Sequence, residues 1–307
     1  MVFPATASAR LRGAQLSPAA RAWIFLRAHA ELVPMLLLAP AVAVLAAFLT
    51  VPLVYFGAQS LQTNELVPSW TLDNYTHFFG DSLYLRMLGQ SIWLGVQTTL
   101  LTLVLGYPLA YHLAFTRSRF KPLLLFFLVS PLLVGVVIRC YGWMILLADN
   151  GLINQWLKGA GLAPGGLPLM YNTFGILLAL VHVFLPYMVL SIVGVLRRID
   201  PALVEAAQNL GASRPRILWE VIWPLTIPGV AAGCLLVFSL AISSYVVPVL
   251  LGGFKVLLLP IVIYDQMLSL YDWPFGAANA MVLLAISLVI LVAYFGLVDR
   301  LSRRLST

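Results

Sequence analysis

The chain has 307 residues, of which 62% are hydrophobic and 9% are charged, and its formal net charge is +7. Because soluble globular domains carry about 25% charged residues, this composition excludes an ordinary soluble domain and predicts a protein embedded in a lipid bilayer. The two cysteines, Cys140 and Cys234, lie far apart in apolar runs. Their placement favours buried packing over a zinc or redox site.

Six apolar segments are long enough to cross the hydrocarbon core, which requires about 20 residues of helix. In chain order they are 34–58, 92–115, 122–147, 174–196, 227–251 and 277–298. A further apolar run, 256–263, is too short to cross and predicts an interfacial or re-entrant segment. The sequence therefore predicts an all-α integral membrane protein. Its six-helix domain, 34–298, lies between the tails 1–33 and 299–307.

Lysine and arginine are distributed unequally between the gaps that separate these segments. The two tails and the loops after the second and fourth segments carry 14 of the 18 basic residues. The opposite side carries three, and Arg139 lies within the third segment. Since basic residues collect in cytoplasmic loops, both tails and the loop 197–224 are expected in the cytoplasm. The basic excess is then a topology signal, and no nucleic acid is expected as a partner.

The loop 197–224, between the fourth and fifth segments, has local signals for two short helices. Asp200 is a good N-cap, and Pro201 suits the first helical position. The residues that follow are mostly strong helix formers, and Gly211 stands where a left-handed residue ends such a helix. Ser213 is expected to cap a second helix, which Pro224 is expected to end.

The first of these two helices carries a small apolar face. Leu203, Ala206, Ala207 and Leu210 recur at helical spacing, and the alanine side chains allow another protein surface to approach closely. An amphipathic hairpin lying on the membrane is the alternative, and it predicts large apolar anchors and a face rich in Lys and Arg. The helix has neither, and its charged residue is Glu205. The pattern therefore favours docking of a cytoplasmic partner.

The loop resembles the EAA loop of permease subunits of type I binding-protein-dependent ABC importers. That pattern is Glu-Ala-Ala, three residues, Gly, nine residues and Ile-x-Leu-Pro. Glu205, Gly211 and Pro224 match it, whereas Val221 and Trp223 replace Ile and Leu. The resemblance implies a MetI-like permease fold in which the loop couples the membrane helices to a separate ATPase. The coupling residues that it implies are Leu203, Glu205, Ala206, Ala207, Leu210, Gly211, Ala212, Ser213 and Pro224.

Within that family the chain resembles the spermidine/putrescine permeases. The resemblance lies in segments such as "TLDNY" (71–75), "VIRCYGWMILL" (137–147), "GLIN" (151–154), "VVPVLLGG" (246–253) and "WPFGAA" (273–278). Permeases for opines, aminoalkylphosphonates, thiamine and ferric iron share parts of these segments, so those substrates stay open beside polyamines. The implied partners at a bacterial inner membrane are an ABC ATPase dimer that uses ATP and Mg²⁺, a second permease chain that is similar but different, and a periplasmic substrate-binding protein.

The sequence carries no pattern for catalysis. None of its lysines stands in a GxxxxGK[ST] loop, and HExxH and GxSxG do not occur. Neither an enzyme nor a cofactor or metal site is therefore predicted for this chain. A stand-alone secondary transporter is a more remote alternative. It predicts internal repeats with buried ionisable residues, and the sequence shows no such repeat.

Ionisable and aromatic residues in or near the span ends are candidates for a translocation path. Arg139 lies within a span, where ionisable residues are functional candidates, although an arginine that snorkels or pairs with Asp149 is the alternative. The aromatic candidates line a vestibule in one interpretation and form an aromatic belt in the other. The candidate path residues are Arg139, Tyr141, Trp143, Asp149, Tyr245, Asp265, Tyr271, Asp272 and Trp273.

Overall fold

The computed structural model describes residues 32–116 and 118–305, and every regular element within these ranges is helical. This confirms the all-α class. The predicted tail 1–33 lies almost wholly outside the described residues, and the last helix continues through most of the predicted tail 299–307. The α-helices are α1 (Leu32–Gln59), α2 (Asp73–Gly80), α3 (Ser82–Phe115), α4 (Lys121–Leu133), α5 (Val136–Leu147), α6 (Leu152–Gly159), α7 (Thr173–Leu196), α8 (Pro201–Asn209), α9 (Arg214–Ile217), α10 (Trp223–Ile242), α11 (Val246–Gly252), α12 (Leu259–Tyr264) and α13 (Trp273–Leu305).

Six helical stretches of the described chain are long and apolar enough to cross a membrane, as the sequence predicts. By its contacts the chain divides into two compact units, one ending at Phe56 and the other beginning at Gly57. The described part of the first unit is the apolar body of α1, which continues through Pro40 and Pro52. The six stretches are Leu38–Gln59, Ser82–Phe115, Val136–Gly159, Thr173–Leu196, Arg214–Ile242 and Trp273–Val298.

The second unit is built around α3, α7 and α10, which pack against one another. Met188 and Ile192 of α7 are fully buried. On α10, Gly229 and Gly233 lie four residues apart on one face. An added Cβ there would lie 2.8 Å from Val195 and 2.7 Å from the sulfur of Met188, respectively. Small residues let helix backbones approach closely in lipid, so these two glycines set the distance between α7 and α10.

The prediction that residues 122–147 form a single helix is wrong. The chain forms α4, leaves the helical conformation at Val134 and Gly135, and resumes as α5. Gly135 adopts φ −56° and ψ 142°, an extended backbone that interrupts the helical hydrogen bonds. Pro131 lies in the last turn of α4 and contributes no N–H to it. The stretch long enough to span begins after this break and includes α6.

Residues 148–151 form a tight connection between α5 and α6, and the segment "GLIN" supplies its last residue and the first three of α6. A Cβ on Gly151 would lie 2.5 Å from the carbonyl oxygen of Ile145, so a side chain there requires a backbone shift. Asn154 is buried and donates to the carbonyl oxygens of Ala148 and Leu167. Its own side-chain oxygen accepts from the N–H of Leu167 at 2.8 Å. These bonds hold the loop after α6 against the helix.

The predicted fifth span, 227–251, is displaced in the structure. The chain is helical from Arg214, through a π turn at Leu218–Ile222, to the end of α10 at Ile242. The residues predicted to complete the span form the separate helix α11. The apolar run 256–263 contributes α12, which continues into a second π turn at Asp265–Ser269.

Candidate functional site

The first helix of the loop 197–224, α8, is capped at both ends as its sequence predicts. The carboxylate of Asp200 accepts from the N–H two residues later at 2.9 Å. Gly211 has φ +79°, and its N–H donates to the carbonyl oxygen three residues earlier. The N–H of Ala212 donates to the carbonyl oxygen of Ala207 at 3.0 Å. The last two bonds form a Schellman motif, which requires a left-handed residue at the glycine position.

The predicted apolar face of α8 is divided between the bundle and the outer surface. Leu203 and Leu210 are 48% and 88% exposed, and Ala206 is exposed beside them. Ala207 is half-buried and, together with Val204, packs against the hydrophobic core of the bundle. The helix therefore rests on the bundle through two side chains and presents a narrow stripe of Leu203, Ala206 and Leu210. We call this stripe the α8 stripe.

The second helix of the loop is continuous with the membrane bundle. It begins after Ser213, which occupies the N-cap position but makes no side-chain capping bond. Ile217 and Ile222 are buried in the core. The prediction that Pro224 ends this helix is wrong, because the π turn Leu218–Ile222 leads directly into α10. A proline ring collides with the carbonyl oxygen four residues earlier in a regular α-helix, and the wider π turn relieves that clash.

Two carboxylates of the loop differ in their partners. The Nε of Arg216 donates to both carboxylate oxygens of Glu220, at 2.9 and 2.8 Å. This pair is exposed and is worth about 0–1 kcal/mol. Glu205 is exposed beside the α8 stripe and has no hydrogen bond or ion pair within the described part of the chain. Its carboxylate is therefore available to a group on a docking surface.

Arg139 lies on α5, and two of its guanidinium nitrogens, Nε and Nη1, are shielded from solvent without a hydrogen-bond partner in the described chain. The alternative in which Arg139 pairs with Asp149 is wrong, because the two form no ion pair. One turn further along α5, the indole Nε1 of Trp143 donates to Nδ1 of His182 on α7 at 3.3 Å. Trp143 therefore links α5 to α7.

Tyr141 and Asp149 line one cleft, of about 410 Å³. Tyr171 also lines it and has the left-handed φ of +57°, which is uncommon for an aromatic residue. The N–H of Tyr171 donates to the carbonyl oxygen of Leu251 at 2.8 Å, which fixes this conformation. The ammonium group of Lys158 donates to the backbone carbonyl of Asp149 at 3.4 Å, so this cleft already has a cation beside it.

Tyr245 and Trp273 line a different cleft, of about 480 Å³, which we call the tyrosine cleft. Tyr264, which the sequence analysis did not select, also lines it, and its ring stacks on that of Tyr245 with centroids 4.4 Å apart. The only feature of the sequence that points to Tyr264 is its position directly before Asp265, which is a candidate path residue. Asp272 instead caps α13 by accepting from a backbone N–H at 3.2 Å, and Tyr271 is exposed.

Six stretches long enough to span a membrane, with a capped, outward-facing helix between the fourth and the fifth, are the arrangement that the sequence predicts for a transporter permease. Residues 102–307 match the family model described as "Binding-protein-dependent transport system inner membrane component". The chain belongs to this family and is a multi-pass inner-membrane component of such a transport system.

The relatives are consistent with this assignment. The chain is 39% identical over 226 residues to the spermidine/putrescine transport system permease protein PotB of Escherichia coli strain K12, covering 74% of this chain and 82% of that protein. It is 34% identical over 234 residues to the corresponding protein of Haemophilus influenzae, covering 76% and 82%. A chain of the bacterial alginate ABC transporter, solved in complex with an alginate pentasaccharide-bound periplasmic protein, shares the fold. It has a TM-score of 0.73 and 17% identity, with 92% of this chain and 98% of that chain covered.

Proposed function

We propose that this chain is a permease subunit of an ABC importer that carries polyamines such as spermidine and putrescine across the inner membrane. The substrate class is supported by the 39% and 34% identity to spermidine/putrescine permeases over about three quarters of the chain. The observation that carries the coupling role is α8. It is a helix capped at both ends, presents the α8 stripe and Glu205 outward, and is joined to a transmembrane helix.

The partners follow from this role. An ABC ATPase dimer binds ATP and Mg²⁺ and receives α8 in a surface groove. A second permease chain, similar to this one but different, completes the path through the lipid bilayer. A periplasmic binding protein delivers the substrate, and the complex solved for the alginate transporter supports a partner of this kind. In this assignment the chain itself binds no cofactor and performs no hydrolysis.

The orientation rests on the charge distribution. The tails and the loop 197–224 carry most of the basic residues, and such segments remain in the cytoplasm. The proposed arrangement therefore places both termini and α8 in the cytoplasm, where an ATPase has access to ATP. The tyrosine cleft lies beyond the opposite end of α10 and faces the periplasm in this orientation.

The coupling mechanism uses the continuity of the helix from Arg214 to Ile242, which has 29 residues and therefore a length of about 43 Å. ATP binding closes the ATPase dimer and displaces α8. Because Ile217 and Ile222 are buried in the core, the displacement is passed to α10 and from there to α3 and α7. ATP and the loaded binding protein shift this equilibrium only as far as each binds one state more tightly than the other.

The test is reconstitution. Tagged chain is purified gently from its native membrane, the proteins that accompany it are identified by mass spectrometry, and the complex is placed in liposomes with its binding protein. We expect an ATPase and a second permease to accompany the chain. We expect uptake of radiolabelled spermidine only when ATP is supplied on the side of the membrane that carries the ATPase.

Two outcomes would contradict the proposal, each in a different part. Spermidine uptake by the purified chain alone, without an ATPase, would favour a stand-alone transporter. ATP-driven uptake of thiamine, an opine, an aminoalkylphosphonate or ferric iron, with none of spermidine, would retain the importer and replace the substrate.

A further inference from the structure

Two glutamines on α3 differ from the other polar side chains of that helix. The hydroxyls of Ser91, Thr99 and Thr102 each donate to the carbonyl oxygen four residues earlier, within the helix itself. Gln90 is exposed, and the Oε1 of Gln97 is shielded from solvent but accepts no hydrogen bond within the described part of the chain. Because an amide without a partner is costly in hydrocarbon, these two side chains indicate a face of α3 that is not covered by lipid.

Both glutamines line the same cleft, which has a volume of about 430 Å³. They are seven residues apart on α3, so they lie on one face of the helix, separated by about 10 Å along its axis. Trp93 lines the cleft between them. The remaining lining comes from Thr173, the first residue of α7, and from the chain around Lys255 that joins α11 to α12. The cleft is thus a polar recess between distant parts of the chain.

The helical backbone is interrupted where the chain from α11 to α12 borders this cleft. A 3₁₀ turn ends at Lys255, the next residue is extended, and α12 begins at Leu259. The N–H of Leu259 donates to the hydroxyl of Ser91 at 2.9 Å, which fixes the break against α3 within the spanning stretch Ser82–Phe115. At membrane depth such backbone is tolerated only where it is buried in protein or lines a water-filled cavity. Lys255 is exposed at the break, so the second condition applies.

The polar groups of the cleft are complementary to an amine in transit. Amide oxygens accept hydrogen bonds from ammonium groups, but they have no formal charge and therefore hold a cation less tightly than carboxylates do. The described residues that line the cleft include no carboxylate, and Lys255 adds a positive charge that opposes a bound cation. A path must bind its substrate strongly enough to admit it and weakly enough to release it. This balance favours passage of an amine over storage.

We propose that this cleft is a segment of the translocation path, in which the side-chain amides of Gln90 and Gln97 accept hydrogen bonds from the ammonium groups of the amine while its methylene chain passes over Trp93. The inference rests on the proposed polyamine function and deepens it by naming residues that contact the substrate. Neither glutamine is among the candidates selected from the sequence. Since α3 packs against α10, a displacement of α10 acts directly on this wall of the path.

The first experiment tests for water in the cleft without reference to the substrate. Gln90→Cys and Gln97→Cys are made separately, and each transporter is assembled in lipid nanodiscs with its ATPase and second permease. The probe is a charged methanethiosulfonate, which reacts with thiolates and therefore with thiols in water rather than in lipid. The native cysteines are buried, and the wild-type chain gives the background rate. Labelling is measured without nucleotide and again with ATP, vanadate and binding protein.

Val289→Cys is the matched control. Val289 is 68% exposed and lies 16 residues after the start of α13, whereas Gln97 lies 15 residues after the start of α3. Both helices begin on the periplasmic side in the proposed orientation, so the two positions have similar depths. We expect Gln90→Cys and Gln97→Cys to react about tenfold faster than Val289→Cys, or more, in at least one of the two states.

The second experiment tests contact with the amine. Spermidine, supplied with binding protein and ATP, is expected to slow the labelling of Gln97→Cys. Gln97→Leu is expected to lower uptake of radiolabelled spermidine by about tenfold, the effect of losing one hydrogen bond to a charged group, whereas Gln97→Asn retains an amide and most of the uptake. Both variants are expected to co-purify with the ATPase, which verifies assembly. Lys255→Gln is expected to halve the spermidine concentration that protects Gln97→Cys, to about one half of the original, and Lys255→Arg to leave it unchanged.

The outcomes distinguish the cleft from the function. If neither glutamine position reacts faster than Val289→Cys in either state, the cleft is closed to water and the inference is overturned, whatever the substrate. If wild-type complex imports spermidine but spermidine does not slow labelling, or Gln97→Leu imports as well as Gln97→Asn, the amide contacts are overturned and the polyamine function stands. If wild-type complex imports no spermidine, the polyamine function is overturned and the amine contacts with it, while the labelling rates still decide whether water fills the cleft.

Discussion

Replacing Gly211 with alanine tests whether the shape of the loop, independent of any contact, is needed for coupling. Gly211 has φ +79°, and nothing lies within 4 Å of the position that a Cβ would occupy. The penalty is therefore conformational and not steric. An L-residue in the left-handed region costs about 1–2 kcal/mol, which lowers the ratio of capped to opened loop by about 5–30-fold.

Two measurements follow the opening. Hydrogen exchange at the backbone N–H of Ala212, which donates to the carbonyl oxygen of Ala207 in the Schellman motif, is expected to accelerate by about the same 5–30-fold. ATP hydrolysis stimulated by the binding protein is expected to fall, because α8 presents its stripe correctly for less of the time. The amount of protein in the membrane is expected to stay constant, since the bundle core is untouched.

A matched glycine provides the control. Gly194 also has no atom within 4 Å of an added Cβ, but its φ is not positive and it lies within α7. Gly194→Ala is expected to be neutral or stabilising. Gly211→Asn should recover part of the loss, because asparagine tolerates the left-handed region. Equal exchange rates and equal ATPase stimulation in wild type and Gly211→Ala would refute the reasoning.

Three further substitutions probe different parts of the molecule. Glu205→Lys should detach or uncouple the ATPase while the chain still inserts, whereas Glu65→Lys should leave ATPase binding intact in a pull-down. Gly233→Leu should lower the thermal unfolding temperature in detergent, because overpacking a helix contact costs about 1–3 kcal/mol and an added Cβ would lie 2.7 Å from a methionine sulfur. Asn154→Ala should speed proteolysis of the loop after α6, because three partly buried hydrogen bonds are lost at about 1 kcal/mol each. Asn150→Ala should not.

The controls define what would contradict these three expectations. Gly142 has open space around an added Cβ, so Gly142→Leu should unfold at the wild-type temperature. Equal losses in Gly142→Leu and Gly233→Leu would show that bulk on any helix destabilises the chain. Unchanged spermidine uptake in Glu205→Lys would remove α8 from the coupling mechanism. Equal cleavage in Asn154→Ala and Asn150→Ala would show that the Asn154 bonds do not hold the loop.

The best sequence predictions concern features that a few neighbouring residues satisfy among themselves. Asp200 and Gly211 delimit α8 because the bonds that they make or permit reach only two to five residues along the chain. The number of spans was predicted for a similar reason, since every backbone polar group in lipid must be bonded within its own helix, and a long apolar run leaves no other solution.

The errors occur where a local signal competes with packing. Proline commonly ends a helix, and Pro224 was expected to do so. The structure instead accommodates the proline after a π turn. Ile217 and Ile222 on the same helix are buried in the core, and their packing keeps the backbone helical through this region. In the third span, the apolar composition gave no indication of the break at Gly135. Mean hydropathy is an average over many residues and does not depend on the φ and ψ of a single residue.

The predictions for the candidate site also succeeded where they depend on local sequence and failed where they depend on packing. Composition and charge asymmetry were enough to predict a membrane protein and its topology, and the resemblance of the pattern from Glu205 to Pro224 predicted a permease with a coupling loop, because each depends on residue type and short spacing. The stacking of Tyr264 on Tyr245 and the separation of Tyr141 from Tyr245 into different clefts emerged from the folded chain alone. Those arrangements depend on how α10, α12 and α13 pack, and helix packing is decided by the shapes of surfaces that meet from distant parts of the chain.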